Sequence, residues 1–114
     1  MIATSLAPGV DDSEAVKAYV ARWTKEVGRE PNGLPYTQYL YDAPYLVAAV
    51  LKSLDNKKTP ITGENFRKEM LAMKSFDLPL TGKTTLGEDH TVVKPVYLME
   101  VKGGKWTHKA TVGK

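Results

Sequence analysis

The feature that most constrains this chain is the stretch of residues 36–54, whose second half, residues 43–51, carries only small or apolar side chains and no charge. A helix that is apolar on every side has to be covered on every side. Because residues 43–51 are far fewer than the roughly 20 residues that cross a bilayer, protein has to supply the cover. The rest of the chain offers one long amphipathic helix and one hairpin, which is little for that purpose.

Length and composition are those of a folded protein. The 114 residues allow one ordinary domain, and 42% hydrophobic with 25% charged residues is close to the globular average. The formal net charge of +3 is too small and too dispersed to indicate a partner that is a nucleic acid. The absence of cysteine excludes disulfides, thiolate metal sites and a cysteine nucleophile. The N-terminal residues lack a basic segment followed by a long apolar core, so we expect no signal peptide in this chain.

The first half of the chain predicts a short strand and a capped amphipathic helix. Residues 2–6 have the character of a strand that ends at a turn. Asp11 is the expected N-cap of the helix, with Glu14 completing a pattern like a capping box. Gly28 supplies the expected C-terminal stop. The apolar stripe of this helix consists of Val16, Tyr19, Val20, Trp23 and Val27.

The central helix contains a proline, which leaves two possible starts. Pro44 lacks an amide hydrogen, and its ring crowds the carbonyl of Leu40. Either the helix begins near Tyr36 and bends at Pro44, or it begins at Asp42 as N-cap with Pro44 in the first turn. We favour the start near Tyr36.

The second half predicts a third helix, short strands and a C-terminal hairpin. Thr62 is the expected N-cap of a helix with an apolar stripe of Phe66, Met70 and Met73. Two short strands are expected at residues 76–80 and 83–86. Gly103-Gly104 is typical of a two-residue hairpin turn. That turn would place Val101 opposite Trp106 and Met99 opposite His108.

The polar residues do not form a recognisable catalytic or metal-binding pattern. Thr81-Gly82-Lys83-Thr84 lacks the earlier glycine of a phosphate-binding loop, because Asp77 stands there. His90 and His108 have no ligand spacing, so we expect neither a metal nor another cofactor. No serine lies in a nucleophile motif, and the carboxylates do not pair in an apolar setting. We therefore expect a protein that is not an enzyme.

The central helix begins with an unusual concentration of tyrosines around one acid. We expect its four tyrosines to be packing residues of the core and its rim in preference to ligand contacts. Asp42 lies among them, and it would act either as a cap or as a group that faces a ligand. The tyrosines are Tyr36, Tyr39, Tyr41 and Tyr45.

The order of these segments resembles one known family. AYVARWTKEVGREPN, YLYDAPYLVAAVLKSL and LTGKTTLGEDHTVVKPVYLMEVKGGKW, in this order, are similar to the C-terminal third of the substrate-binding proteins of branched-chain-amino-acid-type ABC transporters. These proteins have the type I periplasmic-binding fold. The resemblance covers residues 2–111, with Val27 in place of the usual tyrosine and Pro44 as departures. It rests on Tyr19, Trp23, Gly28, Pro31, Tyr41, Asp42, Ala43, Gly82, Leu86, Glu88, Asp89, Val101, Gly104 and Lys105.

The resemblance implies an α/β fragment of a larger two-lobed protein. Three α-helices, short strands and a C-terminal β-hairpin would form an incomplete piece of the type I periplasmic-binding fold. Residues 2–94 would resemble the C-terminal segment of the first lobe, and residues 95–114 a hinge strand and hairpin of the second lobe. The whole protein would be periplasmic. It would capture amino acids or small carboxylates, including aromatic ones, and deliver them to an ABC permease.

The resemblance also implies where a ligand would bind and what would cover the apolar helix. Ser5 and Leu6 would lie at the hinge, and Tyr39 and Asp42 near the ligand cleft. Because the sheet that would cover residues 43–51 lies in the missing part, we expect the isolated chain to form an intertwined homodimer. The alternative hypothesis is a self-contained oligomeric interaction module that does not bind solute.

Overall fold

A computed structural model describes residues 1–5, 13–32 and 36–113 of the chain. The helices of this described part are α1 (Glu14–Val27), α2 (Tyr36–Asn56) and α3 (Gly63–Met73). Its strands are β1 (Ile2–Ser5), β2 (Ser75–Leu78), β3 (Gly82–Leu86), β4 (Val92–Val93), β5 (Val96–Lys102) and β6 (Lys105–Val112). Helices, short strands and a C-terminal hairpin therefore follow the predicted order.

The first helix begins later than the sequence pattern predicts. Ser13 is its N-cap: the residue has an extended backbone, and its hydroxyl accepts a hydrogen bond of 3.1 Å from the amide of Val16. The prediction of Asp11 as N-cap is wrong for this reason, and Asp11 itself lies outside the described residues. At the other end Gly28 has φ of 80°, a left-handed conformation that glycine adopts without steric cost.

The second and third helices begin as predicted. α2 starts at Tyr36 and continues through Pro44, so the alternative start at Asp42 is wrong. α3 follows the N-cap Thr62, whose hydroxyl accepts a hydrogen bond from the amide of Asn65 at 3.2 Å. In α3 the apolar periodicity and the capping chemistry determine the local structure.

The strands form two separate three-stranded antiparallel sheets. In sheet A the strand order is β1-β5-β6, and in sheet B it is β2-β3-β4. The hairpin of sheet A has the predicted register, with Val101 opposite Trp106 and Met99 opposite His108. Gly103 and Gly104 both have positive φ at the turn, as a tight turn between twisted strands requires.

The apolar core lies between the helices and sheet B. Val50 and Leu54 of α2 are fully buried against Phe76 of β2. The predicted stripe of α3 packs on the same cluster, through Phe66, Met70 and Met73. Beside it the Glu69 carboxylate accepts hydrogen bonds from the Ser53 hydroxyl and, at 2.7 and 2.9 Å, from the Lys57 ammonium group, and these bonds lower the pKa of Glu69.

One face of α2 is left uncovered by the described part of the chain. Leu40 is 77% exposed and Val47 42% exposed, and Ala43 and Pro44 between them are also exposed. With the exposed Tyr36 they recur at helical spacing, and we call these five residues the bare face of α2. The radius of gyration is 16.4 Å, against about 13 Å for a compact domain of this length. Residues 1–5, 13–32 and 36–113 thus do not supply all of the cover that the apolar stretch requires.

None of the helices in the described part combines the length and the apolar character that a membrane span requires.

Candidate functional site

The two connections between sheet A and the rest of the chain leave the sheet at the same end. β1 and β5 pair in antiparallel fashion, with Ser5 opposite Tyr97. The chain leaves β1 after Ser5, and it enters β5 through Lys94 and Pro95. Residues 13–93, as far as they are described, contain the helices and sheet B. The residues around Ser5 and Tyr97 therefore lie at a junction between two structural units.

Asp42 is buried at this junction, where it fixes the turn between β2 and β3 to α2. Asp42 is only 2% exposed. One carboxylate oxygen accepts a hydrogen bond from the amide of Leu80 at 3.0 Å. The other accepts from the amide and the hydroxyl of Thr81, at 2.7 and 2.6 Å. The carboxylate therefore holds two backbone amides of a turn that is distant in sequence. This is not the helix cap considered for it from the sequence, because Asp42 lies inside α2.

Lys94 extends this network to the connection that enters sheet A. Its ammonium group donates to the carbonyl oxygen of Thr81 at 3.1 Å and to the Thr81 hydroxyl at 2.7 Å. The Thr81 hydroxyl thus accepts from Lys94 while it donates to Asp42. The ammonium nitrogen also lies 5.5 Å from the centre of the Tyr39 ring, within reach of a cation–π interaction. Burial lowers the pKa of Lys94, and the charge of Asp42 opposes that shift.

Tyr39 completes the junction from α2, one helical turn before Asp42. Its phenol oxygen is buried, and within the described residues no hydrogen-bond partner faces it. Burial, together with the neighbouring Tyr36 and Tyr97, raises the pKa of Tyr39 from 10.0 to about 12. A buried phenol without a partner is unfavourable by about 1–3 kcal/mol, which a bound acceptor would recover.

The structure places three of the four predicted ligand residues around the junction. Asp42 and Tyr39 are joined through Thr81 and Lys94, and Ser5 is paired with Tyr97 on the neighbouring strand. The sequence did not indicate Thr81, Lys94 or Tyr97 as functional. Leu6, the fourth predicted residue, lies outside the described residues. We call the six described residues the junction cluster: Ser5, Tyr39, Asp42, Thr81, Lys94 and Tyr97.

The three added residues carried only weak sequence signals. Thr81 belongs to the Thr-Gly-Lys-Thr segment, which in the structure is a turn that leads into β3. Lys94 precedes a proline, which indicates an extended connection but no particular partner. Tyr97 follows the alternation of β5 and is indistinguishable from a packing residue in sequence.

A polar cleft of about 430 Å³ adjoins the junction cluster through Thr81 and Tyr97. This volume is within the range of small-molecule sites in proteins. The cleft separates the start of α1 and the turn before β3 from the hairpin of sheet A. Its other lining residues are Ser13, Ala15, Pro79, Leu80, Gly82, His108 and Thr111. The arrangement can offer hydroxyl and imidazole groups to a small polar solute.

The histidines and acidic residues do not assemble into a metal site. Across the described ranges, no group of three or more His, Asp or Glu side chains is placed to hold a metal ion.

Comparison with known proteins identifies the family and the fold. The sequence profile described as periplasmic binding protein matches residues 1–105. A solute-binding protein of an ABC transporter from R. palustris, solved in complex with benzoate, is similar with a TM-score of 0.69 and 24% identity. The leucine-binding protein LivK from Thermotoga maritima is similar with a TM-score of 0.59 and 20% identity. At these identities the likeness establishes the fold alone.

The matched region is only part of each solved protein. The similarity covers 97% of this chain but 29% of the R. palustris protein, and 98% of this chain but 30% of the T. maritima protein. No curated protein matches the sequence. The chain thus spans about 30% of the length of these solute-binding proteins, as the resemblance in the sequence implied.

Replacing Asp42 by asparagine tests whether its carboxylate supports the fold. An amide nitrogen would face an N–H or O–H donor where a carboxylate oxygen now accepts, so we expect Asp42→Asn to lower the free energy of unfolding by about 2–3 kcal/mol. Denaturant titration at equal protein concentrations measures the change. Asp55→Asn is the matched control. Asp55 lies on the same helix, and its ion pair with Lys58, at 3.7 Å, is exposed to solvent. Equal losses in the two variants would contradict the role of Asp42.

Alkaline titration tests the buried phenol of Tyr39. The folded chain holds this proton more tightly than the unfolded chain, so the associated stability is complete below pH 10 and is lost as the pH rises towards 12. Tyr39→Phe should remove this loss, and it should also remove the last group to titrate in the tyrosinate absorbance. Tyr19→Phe is the control at a distance from the junction cluster. If the tyrosinate absorbance of Tyr39→Phe reached its plateau at the same pH as that of the unmodified chain, the raised pKa of Tyr39 would be contradicted.

Proposed function

Since this chain belongs to the periplasmic binding protein family, we propose that it is part of a solute-binding protein that captures amino acids or small carboxylates for an ABC importer. The family is one of binding proteins that act in transport and not of enzymes. We infer that this chain, too, catalyses no reaction. Its partners would be a small solute and the membrane permease of the importer, and its place of action the periplasm.

The geometry that carries this proposal is the position of the two connections to sheet A. A protein that closes over a solute needs its two crossings side by side, so that the lobes can turn about one axis. β1 and β5 are hydrogen-bonded neighbours, and both connections leave at the end marked by Ser5 and Tyr97. In this proposal β1 and β5 are the two crossings, the rest of residues 2–94 belongs to the first lobe, and residues 95–114 supply the hinge strand and the hairpin of the second lobe.

The proposed solute contacts are Ser5, Leu6, Tyr39 and Asp42. Tyr39 has support from its buried phenol, whose proton lacks an acceptor among the described residues and suits the oxygen of a carboxylate. Asp42 would contribute by holding Thr81 beside the polar cleft. The two solved proteins of the same fold are a benzoate complex and a leucine-binding protein, and both compounds carry a carboxylate.

A thermal-shift experiment with leucine and benzoate tests solute binding by this chain. A solute at about one hundred times its dissociation constant stabilises the folded state by about 2.7 kcal/mol. For a chain of this size that corresponds to a rise in Tm of about 10 °C or more. Leucinamide and benzamide serve as controls that lack the carboxylate. We expect the acids, and not the amides, to raise Tm.

The Tyr39→Phe variant makes this test specific to the proposed site. It should keep its fold and show a smaller shift with the effective acid, because the phenol no longer donates to the solute. Tyr19→Phe should respond like the unmodified chain. Absence of any shift at millimolar acid would contradict solute binding by this chain.

A second candidate function rests on the bare face of α2. An uncovered apolar helix face forgoes several kcal/mol at about 25 cal/mol per Å², comparable to the stability of a whole domain. In a longer protein the missing part of the fold would cover this face. In the chain by itself a second copy is the simplest cover, and the chain would then be an oligomeric interaction module without solute binding.

Light scattering tests the second copy. We expect the isolated chain to be a homodimer at micromolar concentration, because Leu40 and Val47 are apolar and exposed on α2. Leu40→Glu with Val47→Glu should give a monomer, since two carboxylates would be desolvated at the interface. Lys52→Glu, exposed on α2 outside the bare face, is the charge control and should remain dimeric. A monomeric unmodified chain would contradict the dimer.

A further inference from the structure

The connection from sheet B to sheet A is short and stiff. Only Lys94 and Pro95 separate β4 from β5. The proline ring fixes its own φ, and it also biases the preceding residue, Lys94, towards an extended backbone. The backbone around Pro95 therefore has fewer ways to bend than an ordinary loop of the same length.

The side chain of Lys94 adds a second restraint to this connection. A lysine ammonium is strongly hydrated, and it normally extends into water on a flexible stem. Here the ammonium donates twice to Thr81 and lies over the ring of Tyr39. Through the Thr81 hydroxyl it is connected to the buried carboxylate of Asp42. The start of the connection is thus bound to the turn before β3 and to α2.

We propose that Lys94 is a positioning residue of the hinge, which anchors the crossing to α2 through Thr81 and Asp42. Bending between the two units is then confined to the β5 side of Pro95. This inference rests on the proposed function in one respect, since it takes this crossing to be the hinge of a solute-binding protein.

The anchor has a consequence for closure over a solute. With Lys94 fixed, the helices and sheet B move as one body up to Pro95. The hydrogen bonds among Asp42, Thr81 and Lys94 then persist while sheet A, with Ser5 and Tyr97, changes its angle. Without the anchor, the pivot would spread back towards β4, and Tyr39 would lose the cation beside its ring. Lys94 therefore acts through Thr81 and Tyr39, and not by touching the solute.

Distances between spin labels on the two sheets test the anchor directly. The sequence contains no cysteine, so Ser75→Cys on β2 and Lys105→Cys on β6 would be the only labelling sites. Both positions are exposed. Pulsed electron paramagnetic resonance, with labelled chain diluted in unlabelled chain, then reports the distribution of distances between sheets A and B within one molecule.

Two variants remove the anchor in different ways. Lys94→Met keeps the length of the stem and removes the ammonium group, and Thr81→Val removes the hydroxyl that joins Lys94 to Asp42. Thr81→Ser retains the hydroxyl and serves as the conservative rescue. Lys83→Met, an exposed lysine on β3 of the same sheet, is the matched control for loss of a positive charge.

We expect the unmodified chain to give a narrow distribution of distances. Lys94→Met and Thr81→Val should each give a broad one. Lys83→Met and Thr81→Ser should retain it. A distribution as narrow in Lys94→Met as in Lys83→Met would overturn the proposal. If Lys94→Met does not fold by circular dichroism, the pair Thr81→Val and Thr81→Ser decides, and equal distributions in that pair would overturn the proposal as well.

The same samples separate this proposal from the proposed function. The distributions without solute depend only on the anchor, so they test Lys94 whether or not the chain binds a solute. Leucine and benzoate are added afterwards. A change of distance on addition bears on solute binding, and its absence leaves the result for the anchor unchanged.

Discussion

The buried carboxylate of Asp42 is the interaction on which the junction of this protein depends. It accepts hydrogen bonds from the amides of Leu80 and Thr81 and from the hydroxyl of Thr81. It thereby joins α2 to a turn 38 and 39 residues further along the chain. A buried charge is tolerated only where hydrogen bonds replace its water, and here three donors do so. Lys94 then supplies a compensating positive charge through the same hydroxyl. The network therefore holds α2, the turn before β3 and Lys94 together at the start of the connection to sheet A.

This arrangement divides the described part of the chain into two structural units. The helices and sheet B share the apolar core around Leu54 and Phe76, whereas sheet A is a separate three-stranded sheet that joins them at one end. Sites between two bodies are suited to binding that depends on closure, because a solute can contact both bodies only in the closed arrangement. The polar cleft and the junction cluster both lie at this boundary, and the proposal of solute capture rests on that position.

The bare face of α2 shows what the chain lacks. Leu40 and Val47 are exposed although their spacing is that of a buried stripe, and the molecule is more extended than a compact domain of its length. The chain spans about 30% of the length of the solved proteins that share its fold. In the proposal that it is part of a longer solute-binding protein, these exposed apolar residues are the surface that other parts of that protein would cover.

Local chemistry in the sequence was sufficient to predict the elements. The cap at Thr62, the stop at Gly28 and the Gly103-Gly104 turn each act over a few residues, so the helices, the hairpin and its register could be predicted without knowledge of the fold. The first helix is the exception, because Ser13 competes with Asp11 as N-cap and only the backbone conformation decides between them. The junction could not be predicted in this way. Asp42, Thr81 and Lys94 are polar residues in three separate elements, and no periodicity relates them. Only the tertiary structure, which packs α2 against sheet B and brings both connections to one end of sheet A, places the Thr81 hydroxyl 2.6 Å from the Asp42 carboxylate and 2.7 Å from the Lys94 ammonium group.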